Sequence, residues 1–265
     1  MKKHFLFFLA ICLLIISCQT VPITGRQQLS IVPSETVMVM SFQEYDTFLK
    51  KHRVITNTKE AHLVGRVGER VRHAVERYFS EHNMSDRLKG YKWEFNLVED
   101  DAINAWCMPG GKVVVYTGIL PLAKGEEGLA VVMGHEISHA IAKHGDERLS
   151  QGLVTQMGGI ALATALSQKS KETQDLFLTA FGVGSQVGIL LPYSRVQESE
   201  ADRLGLIFMA MAGYNPREAV DFWKRMESAK KGASVPEFLS THPADKKRIE
   251  NIEKLLPEAM QHYQK

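Results

Sequence analysis

The segment Val132-Met133-Gly134-His135-Glu136-Ile137-Ser138-His139-Ala140 sets a His-Glu-x-x-His pattern inside an apolar helical run, and it constrains this chain more than any other feature. On a helix, residues four apart project from one face, so His135 and His139 can bring two imidazole nitrogens to one zinc ion. Glu136 follows the first of them and can act as general base toward a water at the metal. Together these supply a Lewis acid, a water whose pKa falls to roughly 7 and a proton acceptor, the apparatus of metal-assisted hydrolysis. A catalytic zinc site takes three protein ligands. The candidate third is Glu198, in Ser194-Arg195-Val196-Gln197-Glu198-Ser199-Glu200-Ala201-Asp202, which opens a second apolar helix through Leu204, Leu206, Ile207 and Met209. Glu198 and Asp202 share a face by the same spacing. Glu198 thus completes a His, His, Glu set for one zinc per chain, while Asp202 accepts a hydrogen bond from a ligand imidazole and fixes its tautomer. Glu200 points elsewhere and is expected to be solvated.

The two ends and the composition bound the organisation. Lys2 and Lys3 precede an apolar run from Phe5 to Ile16 that is short for a membrane span, and Ile15-Ile16-Ser17-Cys18 resembles a bacterial lipobox. The expected layout is a lipoprotein signal over residues 1–17, lipidation at Cys18, a tether over 18–32 and one catalytic domain over 33–265. Of three cysteines, Cys12 falls in the signal and Cys18 is acylated, so Cys107 has no disulfide partner. A core must therefore stabilise the fold, and the length allows one. A net charge of +2 leaves no basic footprint for nucleic acid.

Periodicity predicts helices from Pro33-Ser34 and from about Lys59, the second burying Ala61, Val64, Val67, Val71, Ala74, Val75 and Tyr78. Trp93, Phe95 and Leu97 alternate with polar residues as in a half-buried strand. A hairpin follows, from Asn104 through the turn Pro109-Gly110-Gly111 to Lys112-Val113-Val114-Val115-Tyr116. By spacing alone this hairpin either packs on the metal helix or offers an edge to an extended peptide. The metal helix is expected from near Glu126 to near Gly145, with His144 in its last turn as a favourable charge rather than a ligand. Apolar arms between residues 153 and 191, each too short to span a membrane, read as a buried helical hairpin, with a membrane-facing or partner-facing flap as the alternative. Asn215-Pro216 and His242-Pro243 mark further helix starts.

Taken together, His135-Glu136-x-x-His139, Glu198-x-x-Ala201-Asp202, Asn104-Ala105-Trp106-Cys107-Met108-Pro109-Gly110-Gly111 and Ser240-Thr241-His242-Pro243 resemble a gluzincin zinc metalloprotease of the CAAX-prenyl endopeptidase and HtpX-like family. Thr24-Gly25-Arg26-Gln27-Gln28-Leu29 fits its bacterial BepA-like periplasmic lipoprotein branch. The chain lacks the internal membrane spans of the prenyl-protein enzymes. The resemblance implies an α+β fold, a mainly helical zincin-like domain with a short mixed β-sheet lining the cleft. It implies an endopeptidase acting on misfolded or stalled cell-envelope proteins, lipid-anchored and periplasm-facing at the outer membrane, with the outer-membrane assembly machinery as partner. It also favours Gly111, Lys112, Val113, Val114 and Val115 as the edge that binds substrate, and it places His242 near the metal, regulating it or serving the transition state. Two other readings stay open: a chaperone-like lipoprotein with little proteolysis, against which as the sole function the intact Glu136 argues because a structural zinc needs no base, and a non-proteolytic zinc hydrolase of a small amide or ester, against which the candidate edge Lys112 to Tyr116 argues.

Overall fold

The computed structural model describes residues 18–157, 171–181, 194–230 and 236–263. The expected signal over 1–17 and much of the apolar hairpin expected over 153–191 lie outside the described residues. Most of the described chain is helical, around a small mixed sheet.

The sheet has strand order β3-β4-β6-β5, with β3 at Val54–Ile55, β4 at Glu94–Val98, β5 at Ala105–Met108 and β6 at Lys112–Tyr116. β4 runs parallel to β6, and the other pairs are antiparallel. Both faces of β6 are covered, which is why Val113-Val114-Val115 reads as a continuous apolar run rather than an alternation. Val113 and Val115 pack toward helices α2 (Lys59–Glu81) and α4 (Glu126–Ile141). Val114 and Tyr116 face the opposite cluster with Trp106, Met108 and the Val37, Tyr45 and Phe48 side chains of helix α1 (Ser34–Lys51). The β5–β6 turn depends on Gly110 and Gly111, both at φ +81°, and a Cβ on either would strike the Phe42 or Trp93 ring.

This arrangement corrects one expectation. β6 is an interior strand with β4 on one side and β5 on the other, so residues Lys112 to Val115 have no edge to offer a substrate. The Gly110 and Gly111 carbonyls are likewise engaged, accepting from Lys92 and Glu94 N–H, and the Lys112 ammonium pairs with Glu94. The sheet edge nearest the metal helix is β5.

Helix α4 is buried from Gly128 to Ile141, all round rather than on one stripe, which makes it the central helix. It packs most extensively on α7 (Arg195–Met211). The crossing is close because Gly134 and Gly205 face each other: a Cβ on Gly205 would lie 3.0 Å from the Gly134 carbonyl carbon and the His135 nitrogen. Short α3 (Leu120–Ala123) leads into α4. Helix α8 (Glu218–Ala229) packs on α4. The four-residue α9 (Phe238–Thr241) leads toward α10 (Lys246–Gln261), which lies along α7. α10 starts three residues after Pro243, capped by the Asp245 side chain, so His242 terminates α9 instead of opening the last helix.

The metal helix also ends earlier than periodicity suggests. Lys143 adopts φ +57°, and His144 begins a new helix, α5 (His144–Met157), which among the described residues packs most extensively on α6 (Lys171–Ala180). Residues 18–32, expected as a tether, hold the antiparallel pair β1 (Cys18–Thr20) and β2 (Gln27–Leu29), with Val21 and Gln28 buried against the body.

Candidate metal centre

α4 and α7 bring the expected ligands together. His135 and His139 sit on the face of α4 turned to the first turns of α7, whose start is fixed by a capping box between Ser194 and Gln197. His135 Nε2 and His139 Nε2 are 3.1 Å apart, and the Glu198 carboxylate lies 3.5 Å from the first and 3.2 Å from the second. A fourth group joins them: His242 Nδ1 is 2.9 Å from Glu198 Oε1 and 3.1 Å from His135 Nε2. All four residues are buried and can each turn one donor atom to a common point. Donors around one tetrahedral zinc, at about 2.0–2.1 Å from the ion, stand about 3.4 Å apart. The observed separations match that edge length, and the set of imidazoles and a carboxylate is zinc's ordinary choice.

Protonation suits the same role. Burial pushes both His135 and His139 below the usual imidazole range, His139 the further, so the rings are neutral and carry lone pairs. Burial opposes ionisation of Glu198, but Arg248, His242 and His135 outweigh it and hold the carboxyl well below the usual range. Glu136 differs: burial pushes it up to about 7, with His242 pulling against that. Its Oε1 is buried without a hydrogen bond, 3.4 Å from His242 Nε2. A buried carboxylate beside three metal donors, itself unsatisfied and poised near neutrality, is suited to taking and returning a proton.

Each candidate ligand imidazole is steadied from behind. His135 Nδ1 lies 3.0 Å from Asp202 Oδ1, which leaves Nε2 for the metal. Asp202 is in turn gripped by Arg248 of α10, at 2.9 and 2.7 Å, and the same guanidinium lies 2.5 Å from Glu198 Oε2. Arg248 stacks over Trp223 at 3.5 Å, so its buried charge is both paired and packed. His139 Nδ1 meets His144 Nδ1 at 2.9 Å, and His144 Nε2 lies 3.0 Å from Glu200 Oε2. Both His144 and Glu200 are buried, which corrects two expectations: His144 stands behind a ligand rather than serving as a terminal charge, and Glu200 is not solvated. Helical spacing turned Glu200 away from the metal correctly, but no helical rule says that another element covers that face.

His242 is held by its position at the end of α9 and by its ring stacked on Phe238 at 4.5 Å. Ala105 and Cys107 of β5 alternate with Trp106, whose partner across β6 is Val114; Tyr116 N–H donates to the Asn104 carbonyl. By antiparallel alternation, the backbone groups of Ala105 and Cys107 face away from β6. Cys107 itself is buried, and burial raises its thiol well above the usual range, so it is no nucleophile.

Comparison with known proteins agrees with this geometry. The sequence profile described as peptidase family M48 matches residues 66–256. The mitochondrial metalloendopeptidase OMA1 of Schizosaccharomyces pombe is 40% identical over 190 residues, 71% of this chain and 53% of that protein. The human metalloendopeptidase OMA1, mitochondrial, is 30% identical over 248 residues, 90% of this chain and 46% of its own. The beta-barrel assembly-enhancing protease of Escherichia coli is 32% identical over 165 residues, 59% of this chain and 33% of that protein. The chain thus spans about half the length of the OMA1 relatives it matches. These matches correct two expectations. The BepA-like branch is more distant than OMA1, and relatives named as mitochondrial overturn the placement at a bacterial outer membrane. They support neither the anchor at Cys18, read from the lipobox-like segment, nor the outer-membrane assembly partner, which rested on that branch. Among the described residues, no helix is long and apolar enough to cross a membrane.

Proposed function

The chain belongs to peptidase family M48, and from that premise we propose that it cleaves internal peptide bonds of polypeptides with one zinc ion held by His135, His139 and Glu198. The observation that carries this is the convergence of those three buried donors beside an unsatisfied Glu136. Zinc, when bound, supplies a Lewis acid that polarises the scissile carbonyl and acidifies water. Glu136 accepts the proton of the attacking water and returns it to the departing amide nitrogen, a role for which its burial and raised pKa fit it. Asp202 holds the His135 ring, and Arg248 holds both Asp202 and Glu198, so the donors are fixed before substrate arrives.

Substrate backbone would dock along β5, where the Cys107 N–H and the Ala105 and Cys107 carbonyls turn away from β6 beside α4, the Ala105 N–H being taken by Asn104 Oδ1. Addition as a further strand favours extended, unfolded segments, which makes stalled or misfolded chains the proposed substrate class. A Cys107→Pro exchange removes one outward donor while leaving the ladder to β6 intact, and should raise KM with zinc retained.

His242 is proposed to close the resting site as a fourth donor, since its Nδ1 lies within the cluster while its Nε2 turns to Glu136. His242→Ala should then raise basal proteolysis; a lowered kcat with unchanged zinc content would assign it to the transition state instead. The whole reading is tested by digesting an unfolded polypeptide with the wild-type chain and with Glu136→Gln. Cleavage by the wild type and none by the zinc-loaded variant is expected. Undiminished cleavage by the variant would refute it, and binding without cleavage by the wild type would favour the chaperone reading.

A further inference from the structure

The chemistry above makes no use of Thr24-Gly25-Arg26-Gln27-Gln28-Leu29, yet the polar side chains of this turn reach α4, α5 and α7, three of the elements around the metal centre. Arg26 lays its Nε 3.0 Å from both Glu200 oxygens on α7. Its other two nitrogens form a parallel fork on Glu147 of α5, at 2.9 and 2.8 Å. Thr24 Oγ1 donates to Glu200 Oε1 at 2.7 Å, and Gln28 Nε2 donates to the Ala142 carbonyl at the C-terminus of α4, at 2.7 Å. Gln197, one residue before Glu198, donates to the same Glu147 at 2.8 Å. Glu200 then accepts from His144 Nε2, and His144 Nδ1 faces His139 Nδ1. One set of tautomers satisfies the line: His139 donates from Nδ1, His144 accepts there and donates from Nε2, and Glu200 accepts. His139 is left with its Nε2 lone pair directed at the metal.

We propose that the β1–β2 turn is a clamp that positions His139, with Arg26 as its central positioning residue, acting through Glu200 and His144. The inference rests on the zinc reading of the site and extends it. The Arg26 fork fixes the distance between α5 and α7, and Gln28 fixes the end of α4, so the helix bearing two donors and the helix bearing the third are tied by a segment remote from both in sequence. Arginine suits this because its planar guanidinium can serve two carboxylates at once, which a lysine ammonium cannot do with the same geometry.

Partners behind a metal ligand characteristically change metal affinity by about 10–100-fold when lost. The test is the zinc dissociation constant of the full chain, by competition with a chromophoric chelator, alongside thermal unfolding of the metal-free protein. Arg26→Met should weaken zinc at least tenfold, and Arg26→Lys should restore only part of that. Glu200→Gln, which keeps shape and loses charge, should weaken it about as much. A clamp with a purely structural role would lower the metal-free unfolding temperature and leave the zinc constant of the folded variants within twofold of wild type, which overturns the proposal. If Arg26→Met does not fold, the Glu200→Gln constant decides by the same threshold. Failure of the zinc reading is separate: there, wild type itself would bind no stoichiometric zinc, or Glu198→Ala would bind as well as wild type.

Discussion

Two candidate ligand histidines one helical turn apart are supported in opposite ways. His135 is backed by Asp202, one turn beyond Glu198 on the same helix, and by Arg248 of α10. His139 is backed by a relay through His144 and Glu200 to Arg26, from a turn near the start of the described chain. The first support is compact and fully buried, with a guanidinium packed on Trp223; the second is longer, and its arginine side chain is a quarter exposed at 26%. A buried charge that loses its partner has no water to turn to, whereas a partly exposed one does. The α10 side should therefore be the more brittle, and the turn side the more adjustable.

The largest expected effect belongs to neither side. Glu136→Gln leaves both supports intact and should reduce hydrolysis by about 10²–10⁴-fold or more, with zinc content unchanged by metal analysis. Loss of zinc in that variant would mean that Glu136 holds the metal. The comparison itself is sharpened by denaturant unfolding of Arg248→Met and Arg26→Met. The first strands Asp202 and Glu198 in the interior and should cost about 3–5 kcal/mol; the second should cost about 1–2 kcal/mol. Equal losses would show that the two sides are equally buried in solution. Gly205→Ala tests the contact both sides presuppose, since its Cβ meets α4 backbone that cannot swing aside. It should cost about 1–3 kcal/mol and weaken zinc, and a neutral result would show that the helices separate easily.

The smallest effect concerns Asp146, on α5 beside the turn side. Burial pushes its carboxyl up to about 7, with Lys143 pulling back, and its Oδ1 has no hydrogen bond. Between about pH 4 and 7 the folded chain keeps a proton that the unfolded chain has released, so this residue makes stability fall as pH rises through that window. Asp146→Asn should then be more stable than wild type at pH 8, by about 1–2 kcal/mol, with the difference shrinking toward pH 5. A constant difference across that range would show that Asp146 is ionised throughout.

The legible parts of this protein are those set by local repeat. Four-residue spacing placed His135 with His139 and Glu198 with Asp202, because a helix imposes that geometry whatever surrounds it. The strand over Glu94–Val98 was readable from apolar–polar alternation, and those over Ala105–Met108 and Lys112–Tyr116 from apolar runs about the turn at Pro109-Gly110-Gly111. Which strand formed the edge was not, since a run such as Val113-Val114-Val115 says that both faces are buried but not which neighbours pair. The helix break at Lys143 was hidden as well, because a left-handed lysine carries no sequence mark of the kind a glycine would. Thr24-Gly25-Arg26-Gln27-Gln28-Leu29 was visible as a motif, but its partners Glu147 and Glu200 lie more than a hundred residues away.

By itself, then, the sequence determined the chemistry: two imidazoles, a base and a carboxylate on helices whose pitch aligns them. Asp202 behind an imidazole was read from spacing too; tertiary structure decided what stands behind His139 and behind Asp202. His242, His144 and Arg26 reach the centre because α9, α5 and the β1–β2 turn pack against α4 and α7 there. Local periodicity holds information only about neighbours along one element, whereas the satisfaction of a buried polar atom depends on whichever element the fold lays over it.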